Sequence, residues 1–354
     1  MNKYTIKFFV GMDLGDKKDN ICVLDHDSAI VESTSVSNTA IALNRFFERF
    51  DTPQEVLVAM ETGTHSPWIS HLLKARGFRV LIGNARKLRA IWDTDNKYDD
   101  RDAEMLARIA RFDPELLYPI THRSRAAHMD LALIKARNAL VQCRSKLINF
   151  LRGISKTAGE RLPSCSAEAF VRNVAEHIPE ELLPAAMPCL NMIHDLNTQI
   201  RHLDRQIEKL CAESYPEAMG LREIVGVGPI TALSYVLTVE DPHRFPKSRN
   251  VGPYLGLTPK RDQSGQSDKP LSITKAGNSY LRSLLINSAH YILGPFGPDC
   301  LLRRYGMRIA SRGGKIAKRK AAVAVARKLA VLMHRLWINN EIYDPWYHDF
   351  KKAA

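Results

Sequence analysis

The stretch Ile6-Lys7-Phe8-Phe9-Val10-Gly11-Met12-Asp13 is an apolar run that ends on a carboxylate. A short run of this kind, bounded by polar residues, predicts a buried β-strand. The stretch Glu55-Val56-Leu57-Val58-Ala59-Met60-Glu61 repeats the pattern and also ends on an acid. Turn-like segments separate two further predicted strands, residues 20–25 and 29–34, from the first. We therefore predict that the chain begins with a three-stranded antiparallel meander.

Helices and strands alternate after the meander. Helical patterns cover residues 39–50 and 65–76, and a further strand pattern covers residues 78–83. Strands followed by alternating helix and strand indicate an α/β domain with a mixed sheet. We place this domain at residues 1–120.

Three carboxylates fall within four residues in the stretch Lys97-Tyr98-Asp99-Asp100-Arg101-Asp102-Ala103, where a loop should become a helix. Asp99 and Asp102 share one face of a helical first turn because they are three residues apart. Acids are also common at helix N-termini simply because the helix dipole favours them. With Asp13 and Glu61 at the ends of central strands, however, four carboxylates are predicted to converge. Such a group suits two magnesium ions in phosphoryl transfer.

Positive charge is the strongest feature of the composition. The 354 residues carry a net charge of +13. Residues 301–335 contain eleven Lys or Arg and no acid, and residues 121–157 contain eight against one Asp. Clustered positive charge on helices is typical of proteins that bind nucleic-acid phosphates. A membrane-surface role is less favoured because these segments lack a bulky aromatic face.

The expected compartment is inferred from the lack of membrane-span, signal-peptide and paired-cysteine patterns in the sequence. No run of about 18 apolar residues is present, which predicts no membrane span, and the N-terminal residues do not resemble a signal peptide. The 6 cysteines are scattered without a C-x-x-C pair, as expected of reduced thiols. We expect a cytoplasmic protein that is associated with the nucleoid when bound to DNA.

Two long amphipathic helices are predicted in the middle of the chain, at about residues 122–160 and 189–213. Helices of this length with apolar residues at 3–4 spacing form antiparallel hairpins or coiled coils. The segment 121–215 is therefore either simple structural packing or a spacer and dimerisation arm. The remaining residues, 216–354, are predicted to form a mostly α-helical domain.

A Gly-x-Gly turn joins two short apolar segments in the stretch from Leu221 to Ala232. This is a helix-hairpin-helix pattern, although plain helix–turn packing explains the same residues. Glycine lets a phosphate approach the backbone, and the N-terminus of the next helix offers free N–H groups. We therefore predict that Gly226 and Gly228 contact nucleic acid.

A polar segment rich in Gly, Ser and Asp, residues 260–270, is predicted to be a flexible loop. Ser264 precedes Gly265 there, and its hydroxyl can attack a phosphodiester if a base or metal removes the proton. Ser267 is chemically equivalent, and either serine is otherwise an ordinary loop residue. The segment Arg312-Gly313-Gly314-Lys315 lacks P-loop spacing and is interpreted as a phosphate-tracking linker. The basic residues predicted to bind nucleic acid are Lys260, Arg261, Lys275, Arg282, Arg312, Lys315, Lys318, Arg319 and Lys320.

These motifs together resemble the DEDD transposases of insertion sequences, the family that includes the pilin-gene invertase. The resemblance covers roughly residues 8–335. It is carried by Met12-Asp13, Met60-Glu61-Thr62-Gly63, Lys97-x-Asp99-x-x-Asp102-Ala103, Tyr254-Leu255-Gly256-Leu257-x-Pro259, Ser264-Gly265, Ser272-Ile273-Thr274-Lys275-Ala276-Gly277-Asn278 and Leu281-Arg282.

The resemblance implies a RuvC-like, ribonuclease-H-type domain followed by a second catalytic domain. Asp13, Glu61, Asp99 and Asp102 would bind Mg²⁺, as two ions for which Mn²⁺ can substitute, and Ser264 would form a covalent phosphoserine link to DNA. Implied partners are donor and target DNA, a bridging RNA encoded in the element, and further copies of the chain in a dimer or tetramer.

Tyr98 departs from the family, which often has a small polar residue at that position. Asp100 adds a third acid that competes as a possible ligand. Whether Asp100 belongs to the metal-binding acids therefore stays open.

We expect an RNA-guided DNA transposase or recombinase that acts by phosphodiester transesterification. A structure-specific, Mg²⁺-dependent endonuclease of the junction-resolvase type is the alternative, with water as the nucleophile. A non-catalytic nucleic-acid architectural protein is the third class.

Overall fold

The structure, a computed structural model, describes residues 5–88, 99–264 and 267–346. For Asp99, Asp100 and residues 262–264 and 267–270 it describes the backbone alone. Lys97 and Tyr98 therefore lie outside the described residues. The chain divides into two compact units, Met1–Arg125 and Ala126–Ala354.

The N-terminal unit is built on one five-stranded mixed sheet. Its strand order is β3-β2-β1-β4-β5. The first three strands are antiparallel, which confirms the predicted meander, and the last two run parallel to the first. This sheet is consistent with the ribonuclease-H-type domain that the resemblance implies. The strands are β1 (Phe8–Leu14), β2 (Lys18–Leu24), β3 (Ile30–Ser37), β4 (Val56–Glu61) and β5 (Arg79–Gly83).

Helices cover both faces of this sheet. On one face, side chains such as Val10 and Met12 form a core with the first two helices. On the other face, Phe9 packs with Ala103 and Ala107 of the fourth helix. Alternation of side chains along a strand produces this division. The helices are α1 (Ala40–Phe47), α2 (Ser66–Ala75), α3 (Ala85–Leu88) and α4 (Asp99–Phe112).

Helix α4 lies directly against the backbone of β1 at Gly11. A Cβ atom added at Gly11 would lie 1.9 Å from the carbonyl oxygen of Ala103 and 2.6 Å from the amide nitrogen of Ala107. Both of these are backbone atoms, which cannot move out of the way as the end of a flexible side chain can. The glycine is therefore required for the seating of the helix that carries Asp99 and Asp102.

We expect Gly11→Ala to destabilise the protein by about 1–3 kcal/mol, the usual cost of overpacking a filled interior. Thermal unfolding followed by circular dichroism measures the change. Gly153→Ala is the matched control because a Cβ at that exposed helical position meets nothing within 4 Å. Alanine there should stabilise slightly through its helix propensity. An unchanged melting temperature for Gly11→Ala would contradict the close packing.

The C-terminal unit is mostly α-helical, as predicted. It also contains one two-stranded antiparallel hairpin, β6 (Pro259–Ser264) and β7 (Ser267–Ile273). The prediction of a flexible loop over residues 260–270 is therefore wrong for the residues described there. The helices are α5 (Arg125–Thr157), α6 (Phe170–Val174), α7 (Leu183–Ser214), α8 (Pro216–Leu221), α9 (Pro229–Val239), α10 (Val251–Tyr254), α11 (Ser279–Leu293), α12 (Leu301–Ala310) and α13 (Gly314–Asn339).

The two long helices, α5 and α7, contact each other in antiparallel register. Arg137 pairs with Asp204, with its Nε 2.5 Å from a carboxylate oxygen, and the Nη1 of Arg144 donates to Asn197 Oδ1 at 2.6 Å. The two contacts lie seven residues apart on both helices and run in opposite directions along them. This pairing agrees with the predicted hairpin, while supercoiling and dimerisation stay predictions.

The division between the two compact units, at residues 125/126, lies five residues from the domain boundary predicted at 120/121. The division into three domains stays a prediction. One core extends across the boundary predicted at 215/216. The start of α5, at Leu131 and Ile134, and the end of α7, at Ile207, are buried in the same core as the C-terminal helices. None of the described helices is both long and apolar enough to span a membrane.

Candidate functional site

Asp13 and Glu61 lie side by side at the ends of adjacent parallel strands. The register pairs Gly11 with Ala59 and Met12 with Met60, so the next residues, Asp13 and Glu61, continue the pairing. Because side chains alternate, both carboxylates project from the face on which α4 lies. Both are half-buried and line one cleft of about 450 Å³. The structure thus brings two of the four predicted acids together.

The direction of α4 turns its first residues toward the same end of the sheet. Arg111, near the end of α4, donates from Nε and Nη2 to the carbonyl oxygen of His26 at 2.8 and 2.6 Å. His26 follows β2, whose Leu24 pairs with Phe9 at the start of β1. The helix therefore ends near the start of β1, and its first turn, with Asp99 and Asp102, begins toward the end that carries Asp13.

The metal-binding group is incomplete among the described side chains. There, no three His, Cys, Asp or Glu side chains are placed to hold one metal ion. Asp102 is half-buried, and the side chains of Asp99 and Asp100 lie outside the description. The donor set itself fits a hard divalent cation, since carboxylate oxygens are the ligands that Mg²⁺ and Mn²⁺ prefer.

A hydrogen-bonded turn, not found from the sequence, holds the residues that follow Glu61. The amide and hydroxyl of Thr62 donate to the carbonyl oxygen of Gly83 at 3.0 and 2.6 Å. The hydroxyl of Ser66 accepts the Gly63 amide at 3.0 Å and lies 2.8 Å from Nε2 of His122. Ser66 is fully buried. These bonds fix the backbone immediately beyond Glu61.

A fifth carboxyl group, Asp19, is buried near this end of the sheet and was also missed. It pairs with Leu14 across β1 and β2, so it projects from the face opposite Asp13. Neither of its carboxylate oxygens has a hydrogen-bond partner in the described part of the chain. Burial raises the pKa of Asp19 to about 6, and the charge of Asp13 adds to this rise, while His65 opposes it. Asp19 is thus inaccessible as a metal ligand.

Ser264 occupies the last position of β6, where it pairs with Ser267. The base of this hairpin is held by close backbone approaches at two left-handed glycines. A Cβ at Gly256 (φ +67°) would lie 2.2 Å from the Ala276 amide nitrogen, and one at Gly277 (φ +66°) would lie 2.2 Å from the Tyr254 carbonyl oxygen. The chain entering the hairpin and the chain leaving it are therefore in direct contact.

Arg282 is buried and bonded to the backbone at the base of the β6–β7 hairpin. It is 9% exposed, and its Nη1 donates to the carbonyl oxygens of Leu255 and Ala276 at 3.1 and 2.7 Å. A guanidinium held in this way supports the base of the β6–β7 hairpin. A contact between Arg282 and DNA stays a prediction.

The other predicted basic residues are at the surface in two groups. Lys260, Arg261 and Lys275 are exposed around the β6–β7 hairpin. The second group is exposed before and along the first turns of α13: Arg312, Lys315, Lys318, Arg319 and Lys320. Their DNA contacts stay predictions.

The turn between α8 and α9 has the shape that the Gly-x-Gly pattern requires. Gly226 is left-handed (φ +78°), and a Cβ at Gly228 would meet nothing within 4 Å. Both glycines line an open cleft of about 560 Å³ together with Asn287 and Tyr291 of α11. The geometry leaves the backbone at Gly228 accessible, while the helix-hairpin-helix assignment stays a prediction.

Two family models match the chain. A DEDD transposase model of the IS110 type, described as "Transposase", matches residues 10–157. A second model, described as "Transposase IS116/IS110/IS902 family", matches residues 219–298. Together they include Asp13, Glu61 and Ser264.

Curated relatives carry similar names. The chain is 28% identical to the transposase for insertion sequence element IS1111A of Coxiella burnetii over 70% of this chain and 68% of that protein. It is 24% identical to a probable family 20 transposase of Pseudomonas aeruginosa, over 95% and 98% of the two chains. It is 23% identical to the pilin gene-inverting protein of Moraxella bovis, over 97% and 99%.

Proposed function

Because the chain belongs to the IS110 family of DEDD transposases, we propose that it cleaves and rejoins DNA strands by transesterification through Ser264 and a metal site. The metal ligands in this proposal are Asp13, Glu61, Asp99 and Asp102. The observation that carries the proposal is the Asp13–Glu61 pair, which lies in one cleft at the ends of adjacent parallel strands.

The acid cleft is suited to divalent metal. Two neighbouring carboxylates repel each other unless a cation lies between them. When bound there, Mg²⁺ or Mn²⁺ supplies positive charge that activates a nucleophile and stabilises a leaving oxygen. The chain's own residues orient the ligands: the turn held by Thr62 and Ser66 fixes the backbone after Glu61, and the seating of α4 on Gly11 directs its first turn.

The proposed reaction of Ser264 is a transesterification, in which each bond that forms to phosphorus replaces one that breaks. The Ser264 oxygen attacks phosphorus and forms an O–P bond while its proton passes to a base. The bond from phosphorus to one sugar oxygen breaks, and a later attack by a sugar hydroxyl releases the serine and rejoins a strand. The hairpin supports this role because its base is fixed by Gly256, Gly277 and Arg282, which limits the positions open to Ser264.

DNA binding is assigned to the exposed cations. The exposed cations around Ser264 and at the start of α13 offer positive charge to DNA phosphates. The turn at Gly226 and Gly228 offers backbone amides to a phosphate. We further infer that an element-encoded RNA guides the choice of DNA by base pairing and that the chain works as a dimer or tetramer. This fits a chain whose cations are suited to backbone contacts rather than base readout.

Guidance by RNA predicts that the protein purifies with one discrete RNA that originates from DNA flanking its own gene. Sequencing of the bound RNA after nuclease trimming measures this. Adding that RNA to nucleic-acid-free protein should restore cleavage of matched DNA, and an RNA with scrambled pairing segments should not. Full activity on bare DNA, with no specific RNA bound, would disprove RNA guidance but not the chemistry.

A metal-dependent endonuclease of the junction-resolvase type is the second candidate. One observation favours it: the Asp13–Glu61 pair lies entirely within the N-terminal unit, so attack by water would need no residue of the second unit. The two reactions differ in product, because only the serine reaction attaches protein to DNA. A denaturing gel of the cleavage reaction therefore separates them.

A further inference from the structure

We propose that Arg86 forms an anion subsite beside the acid cleft, in which its guanidinium binds the phosphate that is cleaved. Arg86 lines the same cleft as Asp13 and Glu61. The inference rests on the proposed function, since it assigns the substrate's phosphate to a place in that site. No sequence motif pointed to this residue.

The backbone at Arg86 is fixed next to the acids. Gly83, at the end of β5, pairs with Glu61, and Arg86 follows three residues later on α3. Asn84 anchors this turn: its amide donates to the Leu117 carbonyl oxygen at 2.9 Å, and its side-chain Oδ1 accepts the Arg86 amide at 3.2 Å. Two residues beyond, Leu88 is fully buried beneath the helix.

Charge explains why an arginine is useful at this position. The acids of the cleft attract metal but repel the negative phosphate that must approach it. A guanidinium offers two parallel N–H donors that match phosphate oxygens, and it stays protonated at any relevant pH. The Arg86 side chain is exposed on the rim, where a strand of DNA can reach it. It is therefore placed to bind the phosphate while the carboxylates hold metal.

The neighbouring Lys87 provides a matched control. Its Nζ lies 3.9 Å from the centroid of the Tyr118 ring, and it does not line the cleft. Lys87→Ala removes the same formal charge one residue away, on the same short helix. A difference in cleavage rate between the two alanine variants therefore reflects the position of the lost charge rather than the change in net charge.

The competing explanation is that Arg86 only neutralises Asp13 and Glu61 until metal displaces it. The two explanations predict different results at saturating Mg²⁺. A phosphate-binding residue still contributes to the rate there, whereas a counter-ion no longer does. Removing a counter-ion would only lower the Mg²⁺ concentration needed for half-maximal rate.

The test is single-turnover cleavage of element-end DNA by the full-length protein with its co-purified RNA, across a Mg²⁺ titration. We expect Arg86→Ala to cleave about a hundredfold more slowly at saturating Mg²⁺, the size of effect seen when one transition-state hydrogen-bond donor is lost. Arg86→Lys should lose less, Lys87→Ala should cleave nearly normally, and added guanidinium ion should partly rescue Arg86→Ala. Ethylammonium should rescue less because it lacks the planar pair of donors.

Two outcomes would overturn the subsite. One is a normal rate for Arg86→Ala at saturating Mg²⁺, and the other is a rate loss that guanidinium does not relieve and that Lys87→Ala shares. Asp13→Asn, assayed in parallel, separates this failure from a wider one. If Asp13→Asn is inactive while Arg86→Ala is fully active, only the subsite is wrong, whereas an active Asp13→Asn refutes the proposed metal site itself.

Discussion

Ser264→Ala is expected to abolish the covalent protein–DNA product and to lower strand cleavage by about 10⁴-fold or more, a loss typical of removing a catalytic nucleophile. Alanine has no oxygen with which to form the bond to phosphorus. DNA binding should be retained because the surrounding cations and the base of the β6–β7 hairpin are untouched. Denaturing electrophoresis of end-labelled DNA measures the adduct, and a gel-shift titration measures binding.

Ser267→Ala is the matched control for this change. Ser267 pairs with Ser264 across the same hairpin and carries the same hydroxyl. If the adduct persists in Ser264→Ala and disappears in Ser267→Ala, the nucleophile is Ser267. If neither change removes cleavage and no adduct forms with the wild-type chain, water is the nucleophile and the resolvase alternative holds.

The strands of the N-terminal sheet could be predicted because burial determines their sequence. The central strands β1 and β4 are covered on both faces, so they are nearly continuous apolar runs. Their parallel pairing then makes any acid at their ends neighbours, which is why Asp13 and Glu61 could be proposed without a structure. The turn-like segments that separate β1, β2 and β3 indicated the meander.

The β6–β7 hairpin could not be predicted in the same way. Pro259-Lys260-Arg261-Asp262-Gln263-Ser264 is polar at nearly every position, so it shows no alternation between a core face and a solvent face. What holds the hairpin is contact at its base between segments about twenty residues apart, at Gly256 and Gly277. Glycine spacing alone does not reveal which backbone a glycine touches.

Several site residues escaped prediction for a related reason. Ser66 meets His122 across 56 residues of chain, and Arg86 reaches the acid cleft through the fold of a four-residue helix after β5. Such contacts are tertiary, and a single Ser, His or Arg in a sequence carries no periodic signal. The bond from Arg282 to the carbonyl oxygen of Ala276 is likewise a tertiary contact that the sequence motif did not indicate.

Substitutions of Asp13 and Glu61 test the proposed metal site. Asp13→Asn and Glu61→Gln each remove one negative charge and keep the shape of the side chain, so folding should be preserved while metal binding is weakened. We expect cleavage to fall by more than the about 10- to 100-fold that losing an outer-shell partner of a metal site costs. Adduct formation measured across Mg²⁺ and Mn²⁺ titrations should show both a lower maximum and a higher half-saturating concentration.

The first turn of α4 allows a more specific test, because its three acids do not all lie on the same side of the helix. Asp99 and Asp102 share one side of the helix, and Asp100 lies about 100° around the axis from Asp99. Asp102→Asn should therefore behave like Asp13→Asn, whereas Asp100→Asn should cleave nearly normally. Loss of activity in Asp100→Asn with full activity in Asp102→Asn would show that α4 presents a different face to the cleft. The metal would then be held by Asp13, Glu61 and Asp100, and the helix would be rotated from the position that its seating on Gly11 requires.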